Sequence, residues 1–410
     1  MSNLCRHFGV CGGCALQNIA YERQLKNKTD KVAALLAPYY GGALDITPSP
    51  QTEYFRNKIE LSFSRQVLWR EPAGKKILRD KTLPPEFEDA LGFRLKGRWD
   101  RCVDLRECIL FNPQMPPLLA QIRAWAAKNN LGFYDQRKHT GALRNILMRE
   151  GKNTGEGMLV LISATLFNAE GLVEIIEKFY PNYSVLTALN AGVSDAAGLS
   201  EIKILKGGAQ IKESINNGLR DLFFELSPQS FFQTNTKAAN LMYGRVREFI
   251  EKIKPQTLYD FYGGAGSFSL FCADLCGKVL CVESVEPAVI NGRRNAQINK
   301  IDNVDFFCNT TEDFLAANKI SAFNSAVILD PPRSGLHPKA AKAVLESGVK
   351  DVLYISCNPV TLAENLKTLG QKYKVTHAQC FDFFPHTEHV ETLVILRHCE
   401  ERRGAAIPLE

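Results

Sequence analysis

No apolar run in this sequence reaches the roughly 18 residues that a membrane-crossing helix needs. The opening segment Met1-Ser2-Asn3-Leu4-Cys5-Arg6-His7 has no apolar stretch of the signal-peptide kind. A cytoplasmic protein with no membrane partner is therefore expected. Internal repeats and low-complexity segments are also missing, which sets repeat architectures aside. Charge of one sign is in short supply. Fifty Lys and Arg against 44 Asp and Glu leave a formal net charge of +6, too mild an excess to single out a nucleic-acid binder, although a local basic patch would suffice for one. Cysteine, by contrast, is plentiful, with 12 in 410 residues. Disulfides do not persist in a reducing compartment, so clustered cysteines there point to a metal or to catalysis.

Three textures follow one another along the chain. Residues 1–14 are rich in Cys and Gly. Residues 15–48 hold one helix, with Leu25, Thr29, Val32 and Leu36 on one face at 3.6-residue spacing. Residues 50–225 alternate short β-like runs, such as 59–63 and 158–162, with basic residues, the texture of a mixed α+β or β-rich domain. From about residue 225 strands and helices alternate regularly, as in a parallel sheet. Seven strands are expected near 258–261, 279–283, 304–307, 326–330, 352–356, 375–381 and 392–396. The link between the last two is too short for a helical crossover, so the seventh should run antiparallel. The fold class is α/β, and five helix-separated strands with a final antiparallel pair resemble the Rossmann-like seven-stranded sheet of methyltransferases.

The ends of these strands carry the chemistry. Strand one runs into Asp260-Phe261-Tyr262-Gly263-Gly264-Ala265-Gly266-Ser267-Phe268, where glycines allow a tight turn and close approach to a ligand. Glu283 closes strand two about 20 residues on, where an acid can accept both hydroxyls of a ribose. The dinucleotide pattern G-x-G-x-x-G is not met, since Phe268-Ser269 stand where its third Gly belongs, which favours an adenosyl cofactor. Strand four ends in Asp330-Pro331-Pro332-Arg333. Amino-group methyltransferases place an aromatic residue after a related Asp-Pro-Pro, so Arg333 argues against that chemistry. Strand five ends in Ser356-Cys357-Asn358-Pro359, just before a helix whose N-terminus should lower the thiol pKa. A lone Cys at a strand end is ordinarily a small buried hydrophobe, but the Asn-Pro after it and the Asp-Pro-Pro loop beside it point to a reactive thiol. An antiparallel seventh strand begins at the same edge and brings Glu391 near Cys357 and Asp330. Glu391 adjoins the apolar run Leu393-Val394-Ile395-Leu396, so its burial and a raised pKa are expected. Glu388 lies three residues before it, and in an extended segment the two would face opposite sides.

Cys5, Cys11 and Cys14 form a tight group. A closed site needs a fourth thiol, and Cys102 and Cys108 are nearest in sequence. Four thiolates suit a [4Fe–4S] cluster or a structural zinc, and spacing does not choose between them. The shorter spacing of radical enzymes is absent.

Together these residues resemble the 5-methyluridine RNA methyltransferases, in particular the iron–sulfur branch that modifies 23S ribosomal RNA. The resemblance spans nearly the whole chain. It rests on Cys5, Cys11 and Cys14 followed by Ala15-Leu16-Gln17, on Tyr54-Phe55-Arg56-Asn57-Lys58, and on Gly141-Ala142-Leu143-Arg144. Further matches are Ser230-Phe231-Phe232-Gln233-Thr234-Asn235, Asp330-Pro331-Pro332-Arg333, Ser356-Cys357-Asn358-Pro359 and His389-Val390-Glu391. It implies a [4Fe–4S] cluster on Cys5, Cys11, Cys14 and Cys108, the last because it precedes the apolar pair Ile109-Leu110. It implies Cys357 as nucleophile, Glu391 as proton acceptor, and Gln233, Tyr262, Glu283 and Asp330 as the pocket for S-adenosylmethionine and the base. Ser267 joins that pocket as a hydrogen-bonding residue, although the family commonly has Asn or Thr there, and Cys where Gly263 stands. The partner would be ribosomal RNA, presented as a loop with a flipped uridine, and the protein a monomer. The same chemistry on transfer RNA, amino-group methylation and a non-catalytic RNA-binding module with a metal are the alternatives. On this reading residues 1–14 and 50–225 form the cluster and RNA-binding domain. Residues 15–49 pack on the catalytic domain, 226–400 are that domain, and 401–410 are a tail. The oligonucleotide-binding β-barrel of some relatives is not expected, so RNA would be gripped by residues such as Arg56, Lys58, Lys75, Lys76, Arg94 and Arg144.

Overall fold

The computed structural model describes residues 4–67, 87–193 and 198–399. Lys75, Lys76 and the tail at 401–410 lie outside the described residues. Among those described, no helix is long and apolar enough to cross a membrane.

Helix α1 (Tyr21–Leu36) and the short strand β1 (Asp45–Thr47) come first. The buried face of α1 is Gln24, Lys28, Val32 and Leu36. Leu25 and Thr29, expected on it, are only half-buried. The reason is a buried polar network that apolar periodicity does not register. Lys28 Nζ lies 2.6 Å from Asp382 Oδ1, and Tyr21 Oη donates to Asp382 Oδ2 at 2.8 Å. Gln24 donates to the carbonyls of Leu16 and Ile19. Breaking one partner of such a buried pair is costly, because it strands the other charge.

Six strands then build a mixed sheet: β2 (Lys58–Val67), β3 (Phe87–Gly92), β4 (Leu143–Glu150), β5 (Gly157–Ser163), β6 (Tyr183–Leu189) and β7 (Ser200–Lys206), in spatial order β3-β2-β4-β5-β6-β7. Its central strands are buried on both faces, which explains the unbroken apolar run 158–162. Leu159 and Leu161 pack with α2 (Met115–Lys128) and α3 (Leu172–Glu177) on one side. Met158, Val160 and Ile162 face the hairpin of β8 (Ile211–Asn216) and β9 (Asp221–Leu226) and helix α4 (Thr236–Ile253) on the other. The same core continues through α4 into the second large sheet. The change of texture near residue 225 thus marks a change of topology with no gap in the packing.

The second sheet has eight strands: β10 (Thr257–Phe261), β11 (Lys278–Glu283), β12 (Val304–Cys308), β13 (Ser325–Leu329), β14 (Asp351–Ser356), β15 (Tyr373–Phe381), β16 (Glu391–His398) and, at one edge, β1. Their order is β1-β15-β16-β14-β13-β10-β11-β12, and β16 alone runs antiparallel to its neighbours. The seven expected strands are all present, and β16 inserts between β14 and β15. The eighth is not foreseeable from pattern, because a three-residue strand carries no periodic signal. Helices α5 (Ser267–Cys272), α6 (Glu286–Ile298), α7 (Thr311–Ala317), α8 (Pro338–Ser347) and α9 (Pro359–Leu369) complete the layers. The expected α/β methyltransferase architecture is the one observed.

Candidate active site

Strand β10 is flanked by β11 on one side and β13 on the other, so the chain order reverses there and the carboxyl ends open into a crevice. Asp330 directly follows β13, Cys357 directly follows β14, and Glu391 opens β16. Ser356 pairs with Thr392 across the antiparallel ladder. Cys357 and Glu391 stand next to that last pair, and Glu391 is close enough to act on the Cys357 thiol. Asn358 fastens the two loops together. Its Nδ2 donates to the carbonyl of Arg333 at 3.0 Å, and its Oδ1 accepts from the Val360 amide at 3.2 Å. Thr361 donates to the same Arg333 carbonyl.

Three carboxyl groups line this edge. Glu391 is 4 % exposed, and burial, reinforced by Asp330, pushes its pKa up to about 8. Burial and then Asp260 raise Asp330 to about 7. Asp260 is fully buried. Its Oδ2 accepts from the amide and hydroxyl of Ser269, its Oδ1 meets no donor, and burial raises it to about 7. The sequence motif contains Asp260 without assigning it a role. An acid just inside the end of a strand of otherwise uncharged residues is the signal that marks it. Cys357 departs from expectation in direction: burial first, then Glu391 and Asp330, raise it to about 11, against the opposing pull of Arg333. The helix behind it does not prevail, since Asn358 already occupies its first amide. At neutral pH Cys357 is therefore held as a thiol.

A carboxyl whose pKa is higher folded than unfolded keeps its proton longer in the native state, so stability falls as pH rises from the unfolded value to the folded one. For Glu391 that window runs from 4.5 to about 8, and for Asp260 and Asp330 from 3.8 to about 7. Unfolding free energy should therefore fall as pH rises between about 5.5 and 8.5, and Glu391→Gln should flatten the upper part of that slope. Urea titrations at several pH values check it; a slope in Glu391→Gln equal to the wild type would show that ionisation of buried Glu391 is not the cause.

The two acids of the last loop are separated differently from expectation. Residues 384–390 form turns, bends and loop, so strand alternation does not act on Glu388. It is exposed because it sits in the loop, and Glu391 is buried because it opens the strand.

At the glycine turn, Tyr262, Gly264 and Gly266 all have positive φ, of 63°, 57° and 82°. Gly264 donates its amide to Glu283 Oε2 at 3.1 Å, while Glu283 Oε1 accepts from the Val285 amide. Ser267 meets the hydroxyl of buried Tyr243. Gln233 is half-buried, and its carbonyl accepts from Asn57 Nδ2. The family difference at Gly263 has a packing reason. A Cβ there would stand 2.4 Å from Cys281 Sγ, so the sulfur of Cys281 on β11 occupies the space a side chain at 263 would need.

Cys5, Cys11, Cys14 and Cys108 line one small cavity, together with Phe8, Phe93 and Leu110. Cys14 is pushed up to about 12 by burial and by the three other thiols. Cys102 lies elsewhere, its Sγ donating to the carbonyls of Ser62 and Ala90. Among the described residues no three His, Cys, Asp or Glu side chains converge to hold a single metal ion. The cavity abuts the hairpin that carries Glu391: the amides of Ala15 and Leu16 donate to the His386 carbonyl at 2.8 and 2.9 Å. Of the proposed RNA grips, Arg144 is corrected. It is fully buried, donates to the carbonyls of Asn190, Gly192 and Val193, and lies 4.4 Å above the Tyr134 ring. Arg56 is half-buried, near Cys108 and Cys14 and 5.9 Å from the Phe384 ring. Lys58 and Arg94 are half-buried as well.

The sequence model of the tRNA (Uracil-5-)-methyltransferase family matches residues 193–399. An uncharacterized RNA methyltransferase of Porphyromonas gingivalis is 32 % identical over 405 residues, covering 96 % of this chain and 86 % of that protein. The tRNA (uracil(54)-C(5))-methyltransferase of Pyrococcus horikoshii is 32 % identical over 394 residues, covering 96 % and 85 %. Among solved structures, the Pyrococcus abyssi tRNA (uracil-54, C5)-methyltransferase in complex with S-adenosyl-L-homocysteine superposes with a TM-score of 0.74 at 28 % identity, over 95 % of this chain and 86 % of that one. With a crevice of this geometry and matches of this extent, the chain belongs to the tRNA (uracil-5-)-methyltransferase family of RNA methyltransferases.

Proposed function

We propose that this protein transfers the methyl group of S-adenosylmethionine to carbon 5 of a uridine in 23S ribosomal RNA, with Cys357 as nucleophile and Glu391 as proton acceptor. The observation that carries this reading is the Ser356–Thr392 register, which brings Cys357 and buried Glu391 to one strand edge. Carbon 5 of uracil is a poor nucleophile. The Cys357 thiol gives up its proton to solvent and the resulting thiolate adds to carbon 6, while the electron pair moves through carbon 5 to the carbonyl as an enolate. The enolate carbon 5 takes the methyl group as the sulfur–methyl bond breaks and S-adenosylhomocysteine leaves. Glu391 then removes the proton left on carbon 5, the carbon–sulfur bond breaks by β-elimination, and the thiolate returns. A carboxylate with a raised pKa is a stronger base than an ordinary one, which suits that step. Gln233, Tyr262, Glu283, Asp330 and Ser267 hold the cofactor and the flipped base.

The ribosomal target is supported by the joint occurrence of the cysteine group and the catalytic motifs. A transfer RNA target is the second reading, favoured by the names of the Pyrococcus relatives. Nucleoside mass spectrometry of separated 23S and transfer RNA from a deletion strain decides. Loss of 5-methyluridine from the 23S fraction is expected, and loss confined to transfer RNA would replace it. No loss in either would leave a metal-containing RNA-binding module.

We also propose a [4Fe–4S] cluster on Cys5, Cys11, Cys14 and Cys108. Four thiols around one cavity with apolar walls fit it. The cluster would be structural, since methyl transfer has no redox step. Anaerobically purified protein should contain about four irons per chain, Cys102→Ser should keep them, and Cys108→Ser should lose them. Stoichiometric zinc, or iron lost from Cys102→Ser alone, would overturn the assignment.

A further inference from the structure

Trp99 is 66 % exposed, an uncommon position for so large an apolar side chain. It sits in a loop closed by the bridge between Arg94 and Cys102 and by the amide of Leu95 on the carbonyl of Arg101. The loop is well anchored. Asp100, next to Trp99, is buried, and its carboxylate accepts from Arg98 Nε at 3.0 Å and from Arg137 Nε at 2.8 Å. This ties the Trp99 loop to the neighbouring loop that begins at Asp135. Each guanidinium leaves its Nη1 group unused by Asp100, and the side chains of Arg98 and Arg137 are 41 % and 66 % exposed. Lys96 is exposed on the same loop. An exposed aromatic side chain thus shares an anchored loop with exposed cations, while the one acid within the loop is turned inward.

The loop is also tied, through the cysteine segment, to the hairpin that carries Glu391. Leu95 bridges Cys11, the Gly12 amide donates to the Arg94 carbonyl, and the Lys96 amide donates to the Val10 carbonyl. The cysteine segment then passes by way of Ala15 and Leu16 to His386, on the hairpin that leads to Glu391.

From this we infer that the Trp99 loop is an RNA-docking surface, on which Trp99 stacks against an unpaired base of the substrate strand while Lys96, Arg98 and Arg137 face the phosphates. The inference rests on the proposed RNA methylation and places part of the substrate strand. Base stacking on an aromatic ring tolerates any base, and the cations supply the sequence-independent attraction. Sequence alone singles out none of Trp99, Arg98 and Arg137 as a grip, because an exposed tryptophan cannot be told from a buried one by composition.

The test uses the full chain with a fluorescein-labelled oligouridylate for binding and a 23S RNA transcript for turnover. Trp99→Ala should bind the oligouridylate about 5- to 100-fold more weakly and raise KM for the transcript with kcat unchanged. Trp99→Phe should restore most of the affinity, because a ring is kept. Lys96→Gln should lower the slope of log affinity against log salt by roughly 0.7. Wild-type affinity in Trp99→Ala, or equal weakness in Trp99→Phe, would overturn the proposal. So would a melting temperature that falls in step with the lost binding. Binding is read without methyl transfer, so the docking surface and the chemistry fail separately. If Trp99→Ala binds normally the surface is wrong and the Cys357 chemistry stands. If binding depends on Trp99 but no 5-methyluridine forms, the chemistry is wrong and the surface stands.

Discussion

Replacing Cys357 by Ala should abolish the covalent complex with RNA and lower methyl transfer by roughly 10⁴-fold or more. The readout is a substrate RNA carrying 5-fluorouridine. Fluorine takes the place of the proton that must leave carbon 5, so the adduct forms, accepts the methyl group and cannot resolve. With the wild-type protein and S-adenosylmethionine, a protein–RNA band should survive denaturation. Without the cofactor, or with Cys357→Ala, it should not. The substitution removes only a sulfur from a half-buried site, so stability and cofactor binding should persist and serve as controls. Cys357→Ser is the sharper variant. It keeps size and polarity, but a hydroxyl is a far weaker nucleophile, so it should be as inactive as Ala. The raised thiol pKa of about 11 adds a second signature: alkylation of Cys357 in the free protein should be slow near neutral pH and accelerate steadily into the alkaline range. In Glu391→Gln the acceleration should begin at lower pH, since one of the carboxylates that opposes the thiolate is gone. A trapped complex of equal yield with Cys357→Ala would remove this residue from the mechanism.

Glu391→Gln should reduce turnover by about 10²–10⁴-fold, the range a general base contributes, and should do so in a way that no folding defect imitates. Thiolate addition and methyl transfer precede the proton transfer and do not need the carboxylate. The variant should therefore accumulate a methylated adduct with ordinary uridine, visible as a denaturation-resistant complex whose nucleotide carries the added methyl group by mass spectrometry. Glu388→Gln should behave nearly as the wild type, because Glu388 is exposed on the loop while Glu391 is buried at the head of β16. Gln retains the shape of Glu and removes the charge that burial disfavours, so the fold should be kept or made firmer at alkaline pH. If Glu388→Gln is the variant that traps the adduct, or Glu391→Gln turns over normally, the base has been misassigned.

Part of the site is legible in the sequence because it follows from local pattern and connectivity. Seven strands show as apolar runs, and helices between them force parallel crossovers. A short last link makes β16 antiparallel, and Cys357 and Glu391 then share an edge by topology alone. The strand β1 is not legible, for want of periodicity in three residues. Nor is the choice between Cys102 and Cys108: both follow the N-terminal cysteines at similar distance in sequence, yet Cys102 caps carbonyls on β2 and β3 while Cys108 reaches the cavity.

By itself, then, the sequence determined the architecture, the crevice and which residues stand at its mouth, because repeat periods, turn residues and link lengths act over a few neighbours. Only the tertiary structure decided how those residues are tuned. Cys357 is raised instead of lowered because burial, with Glu391 and Asp330 arriving from other segments, outweighs one helix end. Lys28 is buried because Asp382, 354 residues away in the chain, meets it. Arg144 is taken from the surface by the carbonyls of Asn190, Gly192 and Val193. Burial and Coulomb interaction depend on which groups lie within a few ångströms in space, and that sum is over the fold, not along the chain.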